Sequence, residues 1–199
     1  MTVFDYPDTA HVRRHGPSGY QDCTSYRDWL RDEFSFRCVY CLMRELWGQR
    51  SASFHIDHFT PQAHDPARAL DYDNLVYVCA ACNALKGDGM VPDPCRVAYG
   101  RCVRVNADGT VAALSEEGEW LIDELRLDSP DRTRFRQLIM RTLASLARCG
   151  ETQTLTDWIR YPNDLPDLRR KREPGNSRPK GRDQCCFARR ERGELPETY

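Results

Sequence analysis

At 199 residues, with 29 Lys and Arg against 30 Asp and Glu, the chain is sized for one ordinary domain with appendages and not for two full domains. Its opening run, Met1-Thr2-Val3-Phe4-Asp5-Tyr6-Pro7, carries acid and proline where a secretory signal needs apolar residues, and no segment reaches membrane-span length, so a cytoplasmic protein with no membrane partner is expected. Ten cysteines without an export signal then point to thiolate metal ligands and exclude a disulfide scaffold.

After an irregular start with a basic and imidazole cluster (His11, Arg13, Arg14, His15), the run 25–34 sets Tyr26, Trp29, Leu30 and Phe34 at helical spacing, with Ser25 and Asp28 as a start signal. Residues 36–41 form a Cys-x-x-Cys knuckle, Cys38 and Cys41, and residues 42–47 a short helical continuation ended near Gly48. Residues 54–59 read as a strand, with Phe54, Ile56 and His58 on one side and His55, Asp57 and Phe59 on the other. Residues 60–73 are an expected loop, 74–79 a second strand, and 82–86 a helix stopped by Gly87. Beyond it come a hairpin over 101–114 turning at Asn106-Ala107-Asp108-Gly109, a helix over 115–125, and a longer helix from Ser129-Pro130 to Gly150. Trp158, Tyr161 and Pro162 are expected to end the ordered portion.

The formal charge of −1 hides an asymmetry. Between Arg169 and Arg192 stand ten basic and three acidic residues, a local charge of +7 against −8 for the remainder. That strip is predicted to be disordered and to meet a phosphate backbone. The expected organisation is an arm and amphipathic helix (1–35), a cysteine-bounded core (36–90), an accessory hairpin and helices (91–168), and the basic tail (169–199).

Two Cys-x-x-Cys pairs, Cys38/Cys41 and Cys79/Cys82, present four thiolates, the tetrahedral shell of a structural zinc. The other six cysteines lack that spacing and read as buried small residues or incidental thiols, with the adjacent Cys185-Cys186 open to oxidation in vitro. An iron centre on the four sulfurs would leave Asp57, His58, Asn74 and Asn83 without a role. Those four suit phosphodiester hydrolysis, which needs a base that titrates near neutrality and a hard ligand for a charge-neutralising cation. Asp57 and His58 are neighbours, so a regular strand must end or twist there for both to address one phosphate.

The ordered set Cys38-x-x-Cys41, Asp57-His58-x-x-Pro61, Asn74-Leu75 and Cys79-x-x-Cys82-Asn83-x-x-Lys86-Gly87 resembles the HNH endonucleases, the ββα-metal nucleases, and their zinc-stapled members. The resemblance spans residues 36–88. It implies an α+β fold with a ββα-metal core, cleavage of DNA to 5′-phosphate and 3′-hydroxyl ends, His58 as general base, and Asp57 and Asn83 on a divalent cation. It also implies that Asn74 ties the loop ends and holds His58. The family's last histidine is here Asn83, and an amide oxygen favours Mg²⁺ or Mn²⁺ over zinc or nickel at that centre. His55, His64, Arg68 and Lys86 are candidate substrate contacts. Partners expected are DNA, with RNA as the alternative polynucleotide, and a protein that targets the enzyme, since no sequence-reading domain accompanies the core; an antiviral effector is one biological setting this fits. A non-catalytic, zinc-stapled nucleic-acid-binding or adaptor module is the competing reading.

Overall fold

A computed structural model describes residues 3–48, 50–172, 174 and 179–199, with the side chains of residues 50 and 51 left out. The fold is α+β, with helices and two small antiparallel sheets. Two compact units form: Met1–Val12 with Ala84–Arg160, and Arg13–Asn83 with Tyr161–Tyr199.

In the second of these, Asp22 caps a 3-10 turn at Cys23–Tyr26 that runs into helix α1, Arg27–Glu33. The aromatic spacing read from the sequence buries Tyr26, Trp29 and Leu30 completely. The same helix also buries two acids at its C-terminal end, and the N-terminal arm exists to satisfy them. Glu33 accepts from the backbone N–H of Arg14 (2.8 Å) and His15 (3.0 Å) and from the Tyr72 hydroxyl (2.9 Å). Asp32 pairs with His15 Nε2 at 3.0 Å. Buried carboxylates are tolerated only when so matched.

Strands β1, Phe54–His58, and β2, Leu75–Cys79, pair antiparallel in a register running from Phe54↔Cys79 to His58↔Leu75. Every residue of β2 is buried, and Phe54 stacks on Tyr77 with ring centres 5.0 Å apart. Helix α2, Ala80–Lys86, follows without a gap and ends at Gly87 (φ 47°). The strict alternation expected of β1 is not what burial follows. Phe54 and Asp57 are buried and His55 is exposed, because Asp57 is covered from the first knuckle.

The basic tail is corrected by the structure. Residues 173 and 175–178, Arg178 among them, lie outside the described residues, but the rest is ordered: helix α7, Cys186–Glu191, starts at Cys185, whose sulfur accepts from Ala188 N–H. Cys186 packs with Phe36 and Leu165, flanked by Tyr161, Phe187, Leu195 and Tyr199. The Cys186 N–H donates to Asp32 Oδ2 at 2.7 Å and the Tyr199 hydroxyl to Phe36 O at 3.2 Å. Charge composition pointed to disorder; apolar residues between the charges supply a buried face, which is what ordering requires.

In the other unit, α3 (Tyr99–Cys102) leads into β3 (Val103–Val105), which pairs with β4 (Val111–Ala113). The connecting turn is the predicted one, with Gly109 at φ 80°. Its carbonyl accepts from Arg136 Nε at 2.6 Å, and the same buried guanidinium reaches Leu127 O at 2.8 Å. Helices α4 (Glu116–Leu125, capped by Ser115) and α5 (Pro130–Arg148, capped by Ser129 with proline in its first turn) begin where the sequence placed them. Helix α6, Thr152–Ile159, lies in what read as the end of the ordered chain.

Candidate metal centre and catalytic hairpin

The first knuckle turns through Phe36 and Leu42, both at positive φ. It is closed by the Cys38 N–H on Met43 O (2.8 Å) and fastened to β2 by the Val39 N–H on Tyr77 O (3.0 Å). The second knuckle is the passage from β2 into α2, with Cys79 the last strand residue and Cys82 on the first helical turn. The four sulfurs of Cys38, Cys41, Cys79 and Cys82 lie within 4.8 Å of one another, and Cys41 Sγ and Cys79 Sγ are 3.6 Å apart. Tetrahedral bonds of about 2.3 Å to zinc set sulfurs at just such separations. Hydrogen bonds from Cys38, Cys41 and Cys82 hold the Cys79 thiol far below its ordinary value, while burial pushes Cys38 up. Four sulfurs sharing their protons this way are a donor set that a divalent cation fits, with proton release on binding.

Asp57 and His58 end β1. Asp57 is 8% exposed, and Tyr40, which lies inside the first knuckle and is fully buried, brings its hydroxyl to 3.4 Å from Asp57 Oδ2. His58 Nε2 lies 2.9 Å from the carbonyl oxygen of Ala69 and 2.9 Å from the Gln62 side-chain amide. A carbonyl can only accept, so Nε2 carries the proton and the basic lone pair is on Nδ1. The Gln62 atom placed there is its amide nitrogen, itself a donor, so the Nε2–H tautomer requires the amide flipped to let its oxygen accept the same proton. Asn74, fully buried at the foot of β2, accepts from the Thr60 N–H (2.8 Å) and donates to Thr60 O (3.0 Å) and Arg68 O (3.2 Å). Its own carbonyl accepts from the Phe59 N–H at 2.8 Å. The loop from 59 to 74 is thus closed at its base by one side chain.

Asn83 is half-buried on α2, next to the zinc ligand Cys82. Of the candidate substrate contacts, His55 and His64 are exposed. Arg68 is engaged by the loop itself, with Nε on Asp71 Oδ2 at 2.9 Å and Nη1 near Thr60 Oγ1 at 3.4 Å. Lys86, the fourth candidate contact, lies one turn beyond Asn83 and is 2% exposed. Tyr40 and Gln62 were not singled out in the sequence. Tyr40 was legible only as a knuckle residue, and no spacing rule carries a contact from there to Asp57.

Residues 38–89, about a quarter of the chain, match the family model described as HNH endonuclease. No curated protein gives a significant match. The matched segment is thus of HNH endonuclease type, with a four-cysteine cluster that fits a zinc site. Among the described residues, no helix is long and apolar enough to cross a membrane.

Proposed function

We propose that the chain is a metal-dependent endonuclease that hydrolyses phosphodiester bonds in DNA, with the β1–β2 hairpin as its catalytic element. The observation that carries this reading is the His58 hydrogen bond to Ala69 O, found on the hairpin of a segment matching the HNH endonucleases. With Nε2–H so held, Nδ1 is the atom that takes a proton from an attacking water. Asp57 and Asn83 would hold a divalent cation, Mg²⁺ or Mn²⁺, which when bound supplies charge neutralisation at the scissile phosphate and its leaving oxygen. Tyr40 donates toward Asp57 Oδ2 and so biases which oxygen faces a ligand. Asn74 keeps the loop carrying Ala69 and Gln62 at a fixed distance from the strand end, which is a positioning role. Cys38, Cys41, Cys79 and Cys82 would hold a zinc that takes no part in proton transfer and fastens the first knuckle to the start of α2.

Plasmid and oligonucleotide substrates, DNA and RNA, incubated with purified protein in Mg²⁺, in Mn²⁺ and without either, test the reading. Cleavage is expected with the cation and lost in His58→Ala at unchanged zinc content. Equal cleavage by His58→Ala removes the base assignment, and a wild type inert with every cation and substrate gives way to the adaptor reading.

A further inference from the structure

Asp57, His58, Asn74 and Asn83 all lie in the unit of Arg13–Asn83 and Tyr161–Tyr199, which leaves the other unit, Met1–Val12 with Ala84–Arg160, without a role. Its charge is sorted by element. Helix α4 holds five acids and no base (Glu116, Glu117, Glu119, Asp123 and Glu124), whereas α5 holds five arginines against Asp131 alone.

The helical period separates those arginines. Arg136 faces inward with Ile139 and Leu143, donating to Gly109 O (2.6 Å) and Leu127 O (2.8 Å), and Arg132 is half-buried. Arg134, Arg141 and Arg148 follow one another at heptad spacing, which turns each by only about 20° round the helix from the last. All three are exposed, as are Leu138 and Ser145 between them. Their side chains make no hydrogen bond or ion pair among the described residues. Other surface arginines are already engaged: Arg96 pairs with Asp93 (3.5 Å), Arg170 with Asp167 (3.3 Å) and Arg192 with Glu194 (2.7 Å).

A rise of about 1.5 Å per residue sets the three about 10 Å apart in a row roughly 21 Å long. That spacing exceeds the Debye length of about 8 Å at physiological salt, so the row costs little repulsion in the free protein. The platform is also firmly held. The Gly109 turn presses on α5 so closely that an added Cβ would lie 2.9 Å from Gln137 Cγ and 3.1 Å from Thr133 O, and the buried Arg136 fork fixes the rotation of the helix about its axis.

We propose that the outer face of α5, through Arg134, Arg141 and Arg148, is a docking surface for the phosphate backbone of the nucleic-acid substrate. Guanidinium forks match phosphate oxygens, and Ser145 adds a hydroxyl donor on the same face. An evenly repeated row of identical cations suits a ligand whose negative charge repeats along its length, and contacts of this kind supply affinity and orientation without reading sequence. This inference rests on the nuclease reading and gives the accessory unit a part in holding the substrate.

The test titrates a fluorescent DNA duplex and its single strand with full-length protein carrying His58→Ala, which reads binding without cleavage, over salt from roughly 50 to 300 mM, where phosphate contacts are resolved. Adding Arg134→Gln, Arg141→Gln and Arg148→Gln together is expected to weaken binding. The slope of log K against log salt should fall by about 2.7 on the duplex and about 2.1 on the single strand, three phosphate contacts at roughly 0.9 and 0.7 each. The three Arg→Lys changes should keep most of the slope. Glutamine has nearly the helix propensity of arginine; melting temperature and zinc content check folding, and Arg141→Gln alone, expected to remove about a third of the effect, serves if the triple variant misfolds. Arg96→Gln, Arg170→Gln and Arg192→Gln together change the net charge equally and should leave the slope near the parent's. An unchanged slope in the α5 variant, or an equal drop in the control, overturns the docking surface and leaves the nuclease reading standing. So does a variant that loses binding to polyglutamate while keeping its binding to DNA and RNA. A parent that binds neither DNA nor RNA oligonucleotides also overturns it, and cleavage by the wild type with Mg²⁺ or Mn²⁺ then decides the nuclease reading separately.

Discussion

At the scale of single residues, Asp57 and His58 are neighbours with different failures in store. Asp57→Ala and Asn83→Ala are expected to raise the Mn²⁺ concentration needed for half-maximal cleavage, so excess metal restores part of the rate. His58→Ala should lose about a hundred- to ten-thousandfold at every metal concentration, because added cation does not replace a base at neutral pH. Metal titrations of the three variants separate the roles. Asn74→Ala should act through stability and geometry together. It strands the Thr60 N–H and the Thr60 and Arg68 carbonyls, at a cost of roughly 1–3 kcal/mol, visible as a lower melting temperature alongside slower cleavage. Cys186 gives a pH signature. Burial pushes its thiol up to about 12 from 9.0, so above pH 9 the unfolded chain ionises while the folded one keeps its proton. Unfolding free energy should therefore fall between pH 9 and about 12, and Cys186→Ala should flatten that decline in denaturant titrations. The same burial corrects the expectation of easy oxidation, since Cys185 and Cys186 are 0% and 1% exposed.

Elements were legible in the sequence where local rules decide them. The β1–β2 hairpin, the stop of α2 at Gly87, the Asn106–Gly109 turn and the Ser115 and Ser129 caps all follow from patterns a few residues long. So did the four cysteines, because knuckle spacing is itself a local rule. What was not legible is set by partners far away in the chain. The ordering of α7 depends on Phe36 and Asp32, and Asp57 is covered by Tyr40. A zinc on the four cysteines would be the element-scale device that removes this distance, holding the first knuckle against the β2–α2 junction. Cys38→Ser or Cys79→Ser should accordingly lower zinc content and unfold or aggregate the protein, since metal binding here contributes folding free energy directly. Zinc loss with an unchanged melting curve would show that the hairpin stands without its staple.

At the scale of the whole molecule, the C-terminal segment changes status from tail to structural part. Truncation after Leu168 removes the partner of Asp32 Oδ2 and uncovers Phe36, changes that together cost on the order of 3 kcal/mol or more. The truncated protein should melt markedly lower and aggregate, and only a fold as stable as the full chain would restore the idea of a detachable basic strip. Arg169, Arg170, Lys171 and Arg192 pair with acids of this same chain. Asp32 is also where three stretches of sequence meet, with His15 17 positions before it and Cys186 154 positions after it. The whole of 84–160 belongs to the other compact unit and is threaded between the two halves of this one. On the ribosome, Asp32 is therefore made early but left without the Cys186 N–H until residues 84–160 have been synthesised. Contacts closed over such spans form slowly, so the packing around Asp32 is the last part of this unit to be completed as the chain is made.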